Sequence, residues 1–393
     1  MKKFVILFLA LCLLQVNTYG QQAIFMGGPQ IVSPEIHPDG SVTFRFQAPN
    51  AGEVRLTGDF LPPDGWMPGN VIMEKNAEGV WSYTTKPLAS DLYGYAFIVD
   101  GLRSMDPNNV YMIRDVASVT NVLIVPGGQG DYYMVNSVPH GTVMRTWYDS
   151  PSGKYVQKRR VTIYTPPGYE EGKDKYPVFY LLHGMGGDEE AWINLGRTSQ
   201  VLDNLIAKGM AKPMIVVMTN GNIAQEAAPG ESSLGFYQPS MQVEGTMDGQ
   251  FEESFRDVIK FVESRFRVIP KKSARAIAGL SMGGYHTLHI SRYYPNTFDY
   301  IGLFSAAIMA DEKQASKPVY AHFDETLLAQ KNNGYKLYWI GIGKTDFLYQ
   351  TNAEYRQKLD KIQMPYVYRE SEGGHIWTNW RLYLTEFVPL LFK

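Results

Sequence analysis

Ala274-Arg-Ala-Ile-Ala-Gly279-Leu280-Ser281-Met282-Gly283-Gly284 is the stretch that decides the fold. Ala274–Ala278 reads as a short buried strand and Tyr285–Tyr293 as a helix, so Ser281 falls on the tight bend between them. This is the setting of a nucleophile elbow. The bend holds a serine in a strained backbone and exposes its hydroxyl at the end of a sheet, with helix dipole and backbone N–H groups pointing at it. Gly279 and Gly283 leave room where side chains would strike the neighbouring strand and helix. A bare G-x-S-x-G arises often by chance, so the flanking strand and helix, and partners in the correct order, carry the weight.

Outward from the elbow, strands alternate with helices, which predicts a mainly parallel sheet from about residue 141 onward. Val161–Tyr164, Tyr176–Leu182, Met214–Met218, Lys336–Ile340 and Tyr366–Tyr368 read as its other strands, their unbroken apolar runs fitting burial on both faces. Ser254–Phe266 places Phe255, Val258, Ile259, Val262 and Phe266 on one helical face. Trp377–Phe392 reads as a closing helix that Pro389 must kink or end.

Behind such an elbow the partners follow in the order serine, acid, histidine. His375 follows the strand Tyr366–Tyr368 on a Gly373-Gly374-His375 loop and is the expected base. Asp346 closes the loop after Lys336–Ile340 and is the expected acid, holding the imidazole in the correct tautomer; Glu370 and Glu372 are its rivals. His286 and His289 lie on the elbow helix and cannot reach back to Ser281, so packing or surface hydrogen bonding is expected of them. No third ligand accompanies them, and no metal site is expected. Leu181-Leu-His183-Gly184-Met185-Gly-Gly187 follows another strand and supplies the second half of an oxyanion hole. Its donors are expected to be the backbone N–H groups of Met185 (or Gly184) and Met282, with His183 a structural brace. Together these residues predict acyl transfer through a serine nucleophile. Trp192, Phe236, Tyr237, Trp377 and Trp380 lie on or near the expected rim, Trp377 as pocket wall, with Asn220 a further rim candidate.

The first part of the chain reads differently. Residues 22–125 hold short alternating strands such as Ser41–Gln47, Glu53–Thr57 and Tyr93–Val99, the last running into an Asp100-Gly101 turn, which predicts a β-sandwich. Residues 126–140, with Pro126-Gly-Gly-Gln-Gly-Asp131, read as a linker to an enzyme domain at 141–393. Lys2 and Lys3 before the apolar run Phe4–Leu14 read as a signal peptide ending near Gly20, so a secreted or periplasmic protein is expected. That run is too short for a comfortable membrane span, and Leu11 before Cys12 argues against lipidation. Cleavage near Gly20 removes the sole cysteine, so stability must come from the core. A net charge of −2 gives no basic stripe for nucleic acid.

The last 250 or so residues resemble the esterase D branch of α/β-hydrolases, in particular carbohydrate esterase family one. The resemblance rests on Leu182–Gly187, Gly279–Gly284, Gly343-Lys-Thr-Asp346 and Gly373-Gly-His-Ile-Trp-Thr-Asn-Trp-Arg381. Residues Val54–Phe60, Trp66, Tyr95–Gly101 and Asp106-Pro-Asn108 resemble the early-set sandwich of carbohydrate-binding module family 48. Glycogen-binding members carry a second tryptophan where Leu102-Arg103 stand here, so in place of starch or glycogen binding the domain is expected to bind another glycan or to pack on the esterase and shape its active-site rim. The resemblance implies no metal or organic cofactor, and a polysaccharide or oligosaccharide ester of the arabinoxylan type as substrate. A feruloyl (hydroxycinnamoyl) esterase is the expected function, with acetyl xylan esterase and siderophore esterase as alternatives of the same chemistry. A non-catalytic polysaccharide-binding protein is the alternative of another class. A siderophore esterase would need a basic pocket, and no Arg/Lys cluster lies near the motifs.

Overall fold

The computed structural model describes residues 31–63, 65, 68–308 and 317–393. The expected signal peptide, Cys12 and Trp66 lie outside the described residues.

The N-terminal domain is a sandwich of two antiparallel sheets. Strands β1 (Glu35–Ile36), β2 (Val42–Gln47), β5 (Glu74–Lys75) and β6 (Val80–Thr84) form one in the order β1-β2-β6-β5. Strands β3 (Val54–Gly58), β4 (Asn70–Ile72), β7 (Leu92–Val99), β9 (Met112–Asp115) and β10 (Ser118–Ile124) form the other in the order β4-β3-β7-β10-β9, with β8 (Leu102–Ser104) on β7. Phe44, Val54, Leu56, Tyr95 and Phe97 are fully buried between them. Asp106 pins the following turn, accepting from the Ser33 hydroxyl (2.7 Å), the Tyr95 hydroxyl (2.8 Å) and the Asn108 N–H (2.8 Å).

The C-terminal domain is built on one eight-stranded sheet: β11 (Thr142–Asp149), β12 (Lys158–Thr165), β13 (Val178–Leu182), β14 (Ile215–Thr219), β15 (Arg275–Leu280), β16 (Tyr300–Phe304), β17 (Leu337–Gly343) and β18 (Val367–Ser371). Its order is β11-β12-β14-β13-β15-β16-β17-β18, antiparallel at the first two pairings and parallel from β14 onward. Two strands, β11 and β16, escaped the sequence reading. The first is an exposed edge strand, and the second carries Gly302, where a Cβ would come within 2.8 Å of the Ala278 Cβ on the neighbouring strand.

Side chains alternate across this sheet, as strand geometry requires. Val178, Tyr180 and Leu182 face one core; Phe179 and Leu181 face the other. Seven helices cover the two faces: α1 (Ala191–Asn194), α2 (Thr198–Ala207), α3 (Gln250–Arg265), α4 (Met282–Tyr293), α5 (Phe323–Asn333), α6 (Tyr349–Lys361) and α7 (Trp377–Phe387), counted among the described residues. The expected face of α3 is buried in the first core, with Leu288 of α4 and Leu359 of α6. Helices α2 and α7 fill the second through Val201, Leu202, Leu205, Tyr383, Leu384 and Phe387. Helix α7 stops at Phe387, and Pro389 lies in the 3-10 turn that follows.

Residues 126–140 are not a free tether. The Tyr133 ring is fully buried, the Gln129 amide donates to the Thr385 hydroxyl (2.5 Å), and the Asn136 amide donates to Asn204 (2.9 Å). Arg381 on α7 donates to the Leu92 carbonyl (2.8 Å) and contacts Asp91 (3.3 Å), so the sandwich is bolted directly to the enzyme domain.

Candidate active site

The elbow has the strain its sequence predicts. Ser281 sits at φ 51°, ψ −115°, outside the regions a side chain normally occupies, between β15 and α4. Both flanking glycines are required by contact. A Cβ at Gly279 would lie 2.3 Å from the Gly283 carbonyl carbon, and one at Gly283 would lie 2.4 Å from the Leu182 oxygen. The Met282 N–H belongs to the first helical turn, where no intrahelical carbonyl is in reach.

Across the sheet, the loop after β13 is braced by His183. This buried imidazole contacts the Gly184 carbonyl through Nδ1 (2.6 Å) and accepts the Gly221 N–H through Nε2 (2.7 Å). The two bonds require a neutral ring protonated on Nδ1. Burial pushes its pKa down to about 4. A folded-state pKa below the ordinary 6.5 means that the stability tied to the neutral ring is lost as pH falls from 6.5 toward 4. A nitrogen-15 NMR titration is expected to find His183 neutral down to that range, and a midpoint near 6.5 would contradict the bracing role.

The loops after β17 and β18 interlock. The Thr345 N–H donates to the Gly373 carbonyl (3.0 Å), and the Asn379 amide donates to the Gly374 carbonyl (2.8 Å). This sets His375 beside the buried Asp346, with Nδ1 at 2.9 Å and 3.1 Å from the two carboxylate oxygens. Asp346 is itself fixed by the Leu348 N–H on Oδ1 (2.9 Å). The carboxylate accepts the Nδ1 proton and leaves the Nε2 lone pair free to act as a base. Phe347 and Trp380 hold the ring from two sides, at centroid distances of 4.6 and 4.9 Å.

Ser281 and His375 line one cavity of about 490 Å³, together with Gly184, Met185, Met282, Trp377 and Trp380. A hydrogen bond between the hydroxyl and the imidazole is not among the contacts of either described residue. Such bonds are often long before substrate binds, and the two side chains face the same cavity lining.

Several expected residues lie elsewhere. Asn220 is fully buried, donating to Glu189 (3.2 Å) and accepting from the Asn222 N–H (2.9 Å), so it braces the loop and is absent from the rim. Trp192 is core: its Nε1–H donates to the Leu182 carbonyl (2.8 Å), and its ring packs edge-on to Trp377 at 5.3 Å. Tyr237 donates to the Ala227 carbonyl, and Phe236 is 95% exposed; neither lines the cavity. The rival acids are engaged otherwise, Glu370 by the Tyr349 and Tyr368 hydroxyls and Glu372 by Lys344. His286 and His289 are buried, not surface groups, the first on Glu252 (2.8 Å) and the second on Arg292 (2.7 Å).

The sequence reading missed Asp188, Met241, Met247 and Phe347, and it named no sandwich residue for the cavity wall. Yet Arg114, Asp115 and Val116 of the β9–β10 hairpin stand in that wall. Asp188 and Phe347 carried a local signal, the first directly after the His183–Gly187 loop and the second directly after Asp346.

Comparison with known proteins agrees with this architecture. The Esterase family model matches residues 152–391, and the model of carbohydrate-binding module 48 (isoamylase N-terminal domain) matches residues 32–112. An endo-1,4-beta-xylanase/feruloyl esterase of Xylanibacter ruminicola is 30% identical over 295 residues, 73% of this chain; the chain spans 38% of that protein's length. A solved ferulic acid esterase is 26% identical, with a TM-score of 0.52 over 64% of this chain and 97% of its own. The enterobactin esterase of Shigella flexneri shares the fold across both domains, with a TM-score of 0.60 at 17% identity over 89% of this chain and 92% of its own. With the family match spanning residues 152–391, the chain belongs to the Esterase family of α/β-hydrolases, its enzyme domain preceded by a carbohydrate-binding module 48 sandwich.

Proposed function

We propose that this is a secreted serine esterase that removes hydroxycinnamoyl groups, feruloyl above all, from plant cell-wall polysaccharide of the arabinoxylan type. Ser281, His375 and Asp346 are its catalytic triad, and the N–H groups of Met185 and Met282 form its oxyanion hole. The observation that carries the reading is the single cavity in which a strained serine, a carboxylate-held imidazole and the Trp377 and Trp380 rings meet.

In this mechanism the Ser281 hydroxyl attacks the ester carbonyl carbon while His375 Nε2 takes its proton. The carbonyl oxygen gains the negative charge and is held by the two N–H groups, a contribution of about 3 kcal/mol for one such donor. Collapse of the tetrahedral species expels the sugar alkoxide, which leaves with the proton from His375. Water repeats the sequence on the acyl-enzyme and releases the carboxylic acid.

Size and charge support the acyl choice. A cavity of about 490 Å³ lies in the range of sites that enclose a drug-sized ligand, and an acetyl group would fill little of it. The feruloyl activity named for the Xylanibacter relative and the 26% identical ferulic acid esterase points the same way. Among the described residues Arg114 is the one Lys or Arg of the lining and is paired with Asp188, and Asp115 and Glu190 are also present, a poor setting for an anionic iron complex.

The test compares methyl ferulate, p-nitrophenyl acetate and acetylated xylan. Ferulate is expected to be cleaved with kcat/KM of about 10⁴ M⁻¹s⁻¹ or more; hydrolysis of acetate esters alone would overturn the acyl assignment. Trp377→Ala is expected to lower the ferulate-to-acetate ratio of kcat/KM by about tenfold, through loss of an aromatic contact surface. An unchanged ratio would remove Trp377 from the acyl site.

A further inference from the structure

The Met185 N–H is carried on a stretch with little stiffness of its own. Gly184, Gly186 and Gly187 surround it, Gly186 at φ 76°, and glycine leaves the backbone its widest freedom. An oxyanion donor serves only when it is held in place before the charge develops. On one side the hold is the His183 brace. On the other side stand three consecutive acids, Asp188-Glu189-Glu190, each gripped by a different part of the molecule. Glu190 takes two hydrogen bonds of 2.7 Å from the Arg145 guanidinium of β11. Glu189, fully buried, accepts from the Ala228 N–H (2.8 Å), the Asn220 amide (3.2 Å) and Arg160 of β12 (3.3 Å). Those partners all belong to the enzyme domain. Asp188, the nearest of the three to Met185, is gripped from the sandwich.

Arg114, on the β9–β10 hairpin, places its guanidinium 2.5 Å from Oδ2 of the buried Asp188 and is the one ion-pair partner of that carboxylate among the described residues. Asp188 Oδ1 accepts the Glu190 N–H (3.0 Å) and the Asp188 carbonyl accepts the Ala191 N–H (3.1 Å), which ties the end of the glycine loop to the start of α1. A second guanidinium nitrogen of Arg114 donates to the Val116 carbonyl (2.9 Å) and so fixes the tip of the hairpin. Val116 packs on the loop itself: a Cβ at Gly186 would lie 2.8 Å from a Val116 methyl. Val116 keeps φ 49°, strained for a β-branched side chain, and strain of this kind persists where the surrounding contacts over-determine it. One arginine therefore secures two contacts on the loop, at Gly186 and at Asp188, from a domain that supplies none of the proposed triad.

We propose that Arg114 is a positioning residue for the oxyanion hole: through Asp188 and Val116 the sandwich domain holds the loop that presents the Met185 N–H. The proposal rests on Met185 being an oxyanion donor, as assigned under the proposed function, and not on which acyl group is removed. Without Arg114 the buried Asp188 carboxylate loses its counter-charge, and its turn toward water draws the loop with it. A donor displaced from the carbonyl oxygen costs transition-state stabilisation rather than ground-state binding. The loss therefore belongs in kcat and falls alike on every acyl group.

The test measures kcat and KM of the full chain, Arg114→Ala, Arg114→Lys, Asp188→Asn and the Arg114→Ala/Asp188→Asn double variant with methyl ferulate and p-nitrophenyl acetate. Thermal unfolding is the fold control. Inhibition by a trifluoromethyl ketone, whose carbonyl takes the serine hydroxyl and whose oxyanion then fills the hole, gives a readout that stability alone does not move. Arg114→Ala is expected to lower kcat by about twentyfold with both esters, to leave KM within about twofold, and to weaken the inhibitor by a similar factor to kcat. Arg114→Lys keeps the charge and is expected to recover most of the rate. Asp188→Asn is expected to lower kcat by about tenfold, and the double variant to lose no more than Arg114→Ala. An unchanged kcat, a loss confined to KM or to one ester, an inhibitor constant that does not follow kcat, no rescue by Lys, or losses that multiply in the double variant would overturn the proposal. Where Arg114→Ala fails to fold, Asp188→Asn, which keeps the shape and removes the charge, must lower kcat for both esters or the proposal fails. Ester hydrolysis that survives Ser281→Ala sinks the serine mechanism and this proposal with it. Activity lost in Ser281→Ala but indifferent to Arg114→Ala sinks this proposal alone.

Discussion

Replacing Ser281 with Ala is expected to lower kcat for methyl ferulate by about a million-fold while leaving the melting temperature unchanged or slightly raised. The size follows from its role. In the proposed mechanism Ser281 supplies the atom that bonds to the acyl carbon, and the bend that presents it requires Gly279 and Gly283 and gives no room for another side chain at those two positions. Residual rate would come only from the oxyanion donors and from binding, which act as a unit with the nucleophile. The stability forecast follows from the backbone. Ser281 holds φ 51°, ψ −115° because Ser281 N–H to the Phe304 carbonyl (2.9 Å) and Ala307 N–H to the Ser281 carbonyl (2.9 Å) fix it, and neither bond uses the side chain. Steady-state kinetics and circular dichroism check both parts. A loss below about a hundredfold would remove Ser281 from the chemistry.

The second large effect is expected at the acid. Asp346→Asn should lower kcat by about ten-thousand-fold with little change in fold or KM. Both carboxylate oxygens lie within hydrogen-bonding distance of His375 Nδ1, and Oδ1 also takes the Leu348 N–H. An asparagine that keeps its oxygen on Leu348 turns its NH₂ group toward Nδ1. The ring then accepts at Nδ1 and carries its proton on Nε2, the nitrogen that must act as base. The change keeps shape and removes the tautomer, so its effect belongs in kcat. Glu370 and Glu372 cannot substitute, since tyrosine hydroxyls and Lys344 already occupy them.

Much of the site was legible in the sequence because catalysis dictates residue type where strands end. An elbow needs glycine on both sides of the serine, and the order of strands puts the acid and the histidine on later loops. What the sequence could not show is the direction of a side chain near a strand end. Asn220 follows β14 and looked like a rim residue, but its amide turns inward to Glu189. Trp192 and Trp377 are both aromatic and both near the motifs; one donates to a backbone carbonyl in the core, and the other lines the cavity with Arg114, Asp115 and Val116 of the hairpin. For His286 and His289 on the elbow helix the sequence left packing and surface hydrogen bonding both open; α3 and the segment after residue 316 bring Glu252 and Tyr320 over them, so both are packed. The hairpin in the cavity wall was invisible for a different reason. Its contacts join segments far apart in the chain, and Arg114-Asp115-Val116 carries no local motif.

Mapping the adduct of a fluorophosphonate probe by peptide mass spectrometry tests the central claim most directly. The account predicts one adduct, on Ser281, lost in Ser281→Ala and slowed by about ten-thousand-fold in Asp346→Asn. An enzyme that hydrolyses esters while Ser281 stays unlabelled, or that labels equally well without His375 and Asp346, would contradict it.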